Sequence, residues 1–320
     1  MSLPSNSQRT TVTGIDVDLA ELLAMRQRAS RFAHPGQRVS GGHAATHESR
    51  FRGRGVDYVE SRNYQPGDDI RQMDWRVTAR TGRPHTKLFQ EEREQSVLLL
   101  LDYNPGMRFG TRKRFKSVQA ARTAAMLAWA AVLGGDRVGA LGFGPSLNAE
   151  VKPGGGARGA LNVLRALVQW DAVSRSDQGA VPLSQALQRA HRLARPGCRV
   201  VLLTDGFSAD PEAQAPLSML ASHCDVAAVV VSDALEQAAP APARYAMRSE
   251  SGLVTLDFAA PNTRTQWVDL FANRRERMIG MFNRRGLRWT QLETQDEPDA
   301  ALAQLLGLGR KGRVAKAKRA

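Results

Sequence analysis

Two acids stand where ligand chemistry would be done. Asp102 closes the apolar run Val97-Leu98-Leu99-Leu100-Leu101, and Asp205 closes Val200-Val201-Leu202-Leu203-Thr204. Continuous apolar runs of this length suit strands buried on both faces of a parallel sheet. In an open parallel sheet, ligands bind beyond the carboxyl ends of the strands. Both carboxylates are therefore expected at one rim. With Asn104 they offer hard oxygen donors, enough to hold a Mg²⁺ ion that keeps several of its waters. The competing reading, which we favour, has Asp102 and Asp205 accepting hydrogen bonds from loop N–H groups. Asn104 and Gly106 are then turn residues around Pro105.

A second acidic set is Asp68, Asp69 and Asp74. Carboxylate groups so close together can hold cations for phosphoryl chemistry. Here they are interleaved with Arg71, Arg76 and Arg80, which argues for ion pairing instead. Pro66-Gly67 presets a turn, because Pro fixes φ and Gly accepts the left-handed region. Asp68 or Asp69 is expected to cap a short helix starting near Ile70. Trp75 brings a large surface and one donor, and is expected to pin that helix.

Other reaction types find little support. No G-x-x-x-x-G-K-[ST] segment is present, and Gly154-Gly155-Gly156 reads as a loop, so the chain brings no phosphate loop of its own. Ser96, Ser117 and Ser146 sit in no G-x-S-x-G elbow. His34, His43, His47 and His85 match no metal-ligand spacing. Cys198 and Cys224 each precede a strand and read as small buried apolar residues.

The elements that must position these residues follow from periodicity. Val17 to Ala33 reads as an amphipathic helix, Arg52 to Tyr64 as extended, and His85 to Gln90 as a short strand. Beyond residue 96, strands (97–102, 137–143, 199–205, 225–232, 288–292) alternate with helices (113–133, 159–169, 182–194, 211–222, 265–285, 298–306). That alternation predicts an α/β fold, a doubly wound, mostly parallel sheet with helices on both faces. Leu235 to Arg248, rich in Ala and Pro, reads as a surface insertion or loop. The expected organisation is a disordered stretch at 1–14, a segment at 15–95 carrying the acidic and aromatic motif, the α/β domain at 96–309, and a basic disordered tail at 310–320.

Composition sets bounds on function. The chain has 320 residues, 42% of them hydrophobic and 24% charged, enough for a substantial core. The longest apolar run, Ala124 to Leu133, is too short for a membrane-spanning helix, and no secretory apolar stretch opens the sequence. Two cysteines exclude a disulfide-rich scaffold and fit a reducing cytoplasm. The net charge is +14, drawn largely from the tail and from Arg274, Arg275, Arg277, Arg284, Arg285 and Arg288. Few aromatics accompany these charges and no nucleic-acid-binding motif is visible, so nucleic acid is not the expected partner.

The segment from Arg62 to Arg80 resembles the signature of the domain-of-unknown-function-58 family. Arg62, Tyr64, Gly67, Asp68, Asp69, Arg71, Asp74, Trp75, Ala79 and Arg80 match it, and Lys87, Phe89 and Glu91 continue it. The two acidic strand ends resemble a von Willebrand factor A-like domain. In that family an Asp-x-Ser-x-Ser element, a loop Thr and a Thr-Asp-Gly element hold a divalent ion. Here Asn104 and Gly106 replace the two Ser, Ala180 stands at the Thr position, and only Thr204-Asp205-Gly206 is intact. The resemblance thus implies a degenerate site at Asp102, Asn104 and Asp205. It also implies a protein without its own enzymatic activity, working with a MoxR-type AAA+ ATPase and other von Willebrand factor A proteins in assembly or maturation. The signature residues are then the interaction candidates. A divalent-metal-dependent hydrolase and a basic nucleic-acid-binding protein are the alternatives.

Overall fold

The computed structural model describes residues 14–33, 56–65, 70–91, 94–174, 179–249 and 252–308. The chain divides into a small unit, within 36–94, and a large α/β unit formed by the rest.

The large unit is built around six strands: β3 (Ser96–Asp102), β4 (Arg137–Gly144), β5 (Leu147–Gly155), β6 (Arg199–Thr204), β7 (Asp225–Ser232) and β10 (Arg288–Glu293). Their spatial order is β5-β4-β3-β6-β7-β10, all parallel except β5, which runs antiparallel to β4 at one edge. Numbered within this sheet, the order is three-two-one-four-five-six, the doubly wound arrangement. This is the von Willebrand factor A-like, Rossmann-type fold expected from the alternating pattern.

β3 lies at the centre, and its continuous apolar run is used on both sides. Successive strand residues face opposite ways. Val97, Leu99 and Leu101 enter one core, and Leu98 and Leu100 enter the other. The first core is covered by α3 (Lys116–Leu133), α4 (Gly156–Val173) and α9 (Pro298–Leu305), the second by α5 (Leu183–Leu193), α6 (Gln214–Ala221) and α8 (Pro261–Asn283). Helix α1 (Leu19–Ala29) also packs in the first core, through Leu22 and Met25 against α3. Its Trp129 partner donates an indole N–H to the Leu22 carbonyl at 3.2 Å. The division expected at residue 95 is therefore corrected: α1, placed with the motif segment, belongs to the α/β unit, because its apolar face is buried there.

Two readings of local structure are also corrected. Gly154 and Gly155 end strand β5 and Gly156 opens α4, so the glycine run is no free loop. Of the surface insertion or loop expected at 235–248, the loop is ruled out: the stretch carries most of the short helix α7 (Ala234–Gln237) and strand β8 (Arg244–Ser249), which pairs antiparallel with β9 (Gly252–Asp257). Weak alternation and the Ala-Pro composition hid that hairpin. The expected disordered stretch at 1–14, all but Gly14, and the basic tail at 310–320 lie outside the described residues. Among the described residues, no helix is long and apolar enough to cross a membrane.

The small unit is a hairpin with a helix in its connection. β1 (Val56–Asn63) pairs antiparallel with β2 (His85–Glu91), and α2 (Trp75–Thr81) lies between them in sequence. Gly82 ends α2 in the left-handed region at φ 70°, and its N–H donates to the Thr78 carbonyl at 2.9 Å.

Candidate functional site

The carboxyl ends of β3 and β6 are neighbours in the sheet, so Asp102 and Asp205 meet at one rim as expected. How they are held decides what the rim can do. Asp102 is 1% exposed and accepts four hydrogen bonds. One oxygen takes the Asn104 backbone N–H at 2.9 Å and the Asn104 side-chain amide at 2.8 Å. The other takes the hydroxyls of Thr204 and Ser208, each at 2.7 Å. Burial, reinforced by the Asp205 charge, pushes the Asp102 carboxyl up to about 6 against the pull of those donors.

Asn104 is used twice more. Its Oδ1 accepts the Val181 N–H at 2.7 Å and its Nδ2 donates to the Val181 carbonyl at 3.1 Å. It therefore clamps the loop that leads into α5, and its side-chain amide is fully engaged within the protein.

Asp205 faces a group the sequence reading did not single out. Its Oδ1 accepts the Phe207 N–H at 2.9 Å, and its Oδ2 accepts the ammonium of Lys116 at 2.7 Å. The same ammonium donates to Glu236 Oε1 at 2.5 Å. Lys116 opens α3 and is only 1% exposed. Burial alone would release its proton, but the Asp205 and Glu236 carboxylates prevail and hold it charged. Glu236 is pushed upward by burial and by the second carboxylate, against the attraction of Lys116.

From Glu236 the network runs on. Glu236 Oε2 accepts the Asp233 N–H at 3.1 Å, closing a capping box at the start of α7. Asp233 in turn accepts from the hydroxyls of Thr111 and Thr294, both at 2.6 Å. Burial pushes the Asp233 carboxyl up, but the Thr111 and Thr294 bonds more than offset it and leave the group lowered.

The rim thus holds two neighbouring polar networks, one around Asp102 and one around Lys116, in which Asp102 and Asp205 are both met by protein donors. Asn104 makes no open ligand, and the cation beside Asp205 is Lys116. This arrangement does not fit a divalent ion at Asp102, Asn104 and Asp205. Among the described residues, no group of three or more His, Cys, Asp or Glu side chains is placed to hold a metal.

The signature lies in the small unit. Asp74 caps α2: its Oδ1 accepts the Val77 N–H at 3.1 Å, and its Oδ2 accepts the Ser61 hydroxyl at 2.7 Å. The short helix expected near Ile70 is a 3-10 turn (Ile70–Gln72), and a cap on it by Asp68 or Asp69 falls outside the described residues. The α-helix begins at Trp75 behind Asp74. Gly67, Asp68 and Asp69 lie outside the described residues. Arg62 sits on β1 opposite Thr86, and the Tyr64 N–H donates to the Pro84 carbonyl at 2.9 Å. Arg71 and Arg80 are exposed.

Trp75 does not pin the helix. It is 66% exposed, and Ile70 is 62% exposed. Asp74 and the hairpin hold the segment, and the indole is left over.

The remaining candidates are structural. Cys198 and Cys224 precede the adjacent strands β6 and β7, both unpaired and buried. Burial pushes the Cys198 thiol up to about 12, which suits an inert side chain. Within the basic stretch, Arg288 binds Asp225 at 2.8 Å, Arg284 donates to Gln214 at 3.0 Å, and Arg274 lies 4.3 Å from the centre of the Phe207 ring.

The sequence profile of the family described as Protein of unknown function DUF58 matches residues 60–277. An uncharacterized protein of Mycobacterium bovis is 28% identical over 281 residues, spanning 87% of each chain. One of Mycobacterium tuberculosis matches over the same length at the same 28% identity. Among solved structures, BatB from Bacteroides thetaiotaomicron is similar with a TM-score of 0.43 at 15% identity, covering 67% of this chain and 98% of that one. The pilus adhesin SpaC from Lactobacillus rhamnosus GG, in its open conformation, gives 0.41 at 15% identity, covering 68% of this chain and 30% of its own.

Proposed function

The chain belongs to the DUF58 family, and from that premise we propose that it is a non-enzymatic interaction module that works with a MoxR-type AAA+ ATPase in the assembly or maturation of other proteins. One observation carries the docking role. The family signature spends Asp74 on capping α2 and leaves Trp75 and Ile70 largely exposed, with Arg76 and Arg80 exposed on the same helix as Trp75. Tryptophan and arginine are the residues that most often dominate the energy of protein interfaces. An exposed indole on a capped helix costs little ordering on binding. The exposed Arg76 and Arg80 of the same helix favour a partner face that is acidic beside its apolar centre.

The rim supports the same reading from the other side. Its carboxylates are bonded within the protein, so none stands ready as a general base. The ATPase as partner rests on the family resemblance, and the two unpaired thiols suit a reducing cytoplasm.

Co-purification with the MoxR-type ATPase from the same cell tests the assignment. Trp75→Ala should leave the fold intact and abolish the complex, and Arg76→Glu should weaken it. A complex unchanged in both variants would refute the role of this segment. Turnover of a substrate by the purified chain alone would refute the non-enzymatic reading.

A further inference from the structure

We propose that the ammonium of Lys116 is the resident cation of this rim, a built-in replacement for a divalent ion, so that the rim keeps its shape without metal. The inference goes beyond the docking reading and holds whichever partner the chain meets.

Three observations converge on it. The first is position. The Lys116 Nζ stands 2.7 Å from Asp205 Oδ2 and 2.5 Å from Glu236 Oε1, and its side chain is 1% exposed. A fully buried lysine persists only when its charge is met, and here two carboxylates meet it, Asp205 from the turn after β6 and Glu236 from α7.

The second is space. A Cβ at Gly106 would come within 2.9 Å of Asp205 Oδ2, the oxygen that takes the ammonium. A side chain at 106 would press on that carboxylate and force one of the two to shift. Gly106 thus leaves room for the Asp205–Lys116 pair. Gly206, next to Asp205 in the turn after β6, is held at φ 83°, with Met278 3.1 Å from its would-be Cβ.

The third is the chemistry of the walls. The ammonium lies 4.9 Å from the centre of the Phe207 ring and 5.8 Å from that of Phe109. Aromatic faces attract a compact monocation. They offer nothing to a divalent ion, which demands six or more oxygens and, for Mg²⁺, holds several waters. Lysine needs no water shell to be satisfied here.

A consequence follows for recognition. A rim whose divalent ion has an open position can recruit a partner carboxylate through it. Lys116 is enclosed, so its charge serves the internal network and partner binding is independent of metal.

The purified full chain tests this with Mn²⁺ as the probe, read by thermal unfolding and by paramagnetic titration. Wild-type protein should show the same melting temperature in millimolar Mn²⁺ or Mg²⁺ as in chelator. Lys116→Ala leaves Asp205 and Glu236 facing an emptied space. It should melt lower, and ethylammonium or Mn²⁺ should restore part of the loss, by about 5 °C at about 100 times the Kd. If that variant does not fold, Lys116→Met combined with Glu236→Gln removes the ammonium together with one carboxylate. This pair should fold and bind no Mn²⁺. Mn²⁺ binding by the wild type tighter than about 1 mM, abolished by Asp205→Asn, would overturn the proposal. So would a Lys116→Ala protein as stable as the wild type and indifferent to both cations.

Discussion

Asp102→Asn sets the cost of a buried charge against the bonds that charge makes. The carboxyl is raised from an ordinary 3.8 to about 6, first by burial and then by Asp205. At about 1.4 kcal/mol per tenfold change in proton affinity, the charged form is disfavoured in the native state by about 3 kcal/mol. Asparagine resembles the neutral acid. Its oxygen fits toward Asn104, where two N–H donors cannot reverse. Its amide then points to the Thr204 and Ser208 hydroxyls, which can rotate to accept. The variant should therefore be at least as stable as the wild type near neutral pH. The sign with pH follows from linkage. The native state binds the proton more tightly than the unfolded chain, so the Asp102 contribution is fully present below 3.8 and lost as pH rises to about 6. Urea unfolding of both proteins, from about pH 3, below the ordinary 3.8, to about pH 7, reads the difference directly. The wild type should lose about 3 kcal/mol relative to Asp102→Asn across that window. A difference that is flat, or that grows in favour of the wild type as pH rises, would refute the reasoning. Asp102→Ala is the companion control. It strips four donors of their acceptor and should cost more than about 3 kcal/mol at any pH.

Two further variants probe the frame around the sites. Asp74→Ala removes both the cap of α2 and the acceptor of the Ser61 hydroxyl. It should cost about 1–2 kcal/mol locally, seen as faster amide exchange over residues 75–81 with the α/β unit unaffected. Leu100→Ala empties a fully buried position on the central strand and should cost about 2–5 kcal/mol in a global unfolding measurement. A loss under about 1 kcal/mol there would mean that the second core collapses onto the gap.

The sequence by itself determined the sheet and its rim. An unbroken apolar run such as 97–101 has one stable use, a strand covered on both faces, and alternation with helices then forces parallel order. The acid ending each of two such runs must arrive at the same edge, which is why the meeting of Asp102 and Asp205 was legible. The family signature was legible too, as was the departure of Asn104 and Gly106 from the metal-binding pattern. What filled the gap was not. Lys116 stands in the basic stretch Arg112-Lys113-Arg114-Phe115-Lys116, and nothing local separates the one buried cation from its neighbours. Its partners lie 89 and 120 residues away, so only the packing of α3 against the ends of β6 and β7 could bring them together. Trp75 failed in the opposite direction. A large apolar side chain beside a cap reads as an anchor, yet whether it is covered depends on what the rest of the chain places over it. Charge pairing and exposure are properties of neighbours in space, and local sequence fixes neither.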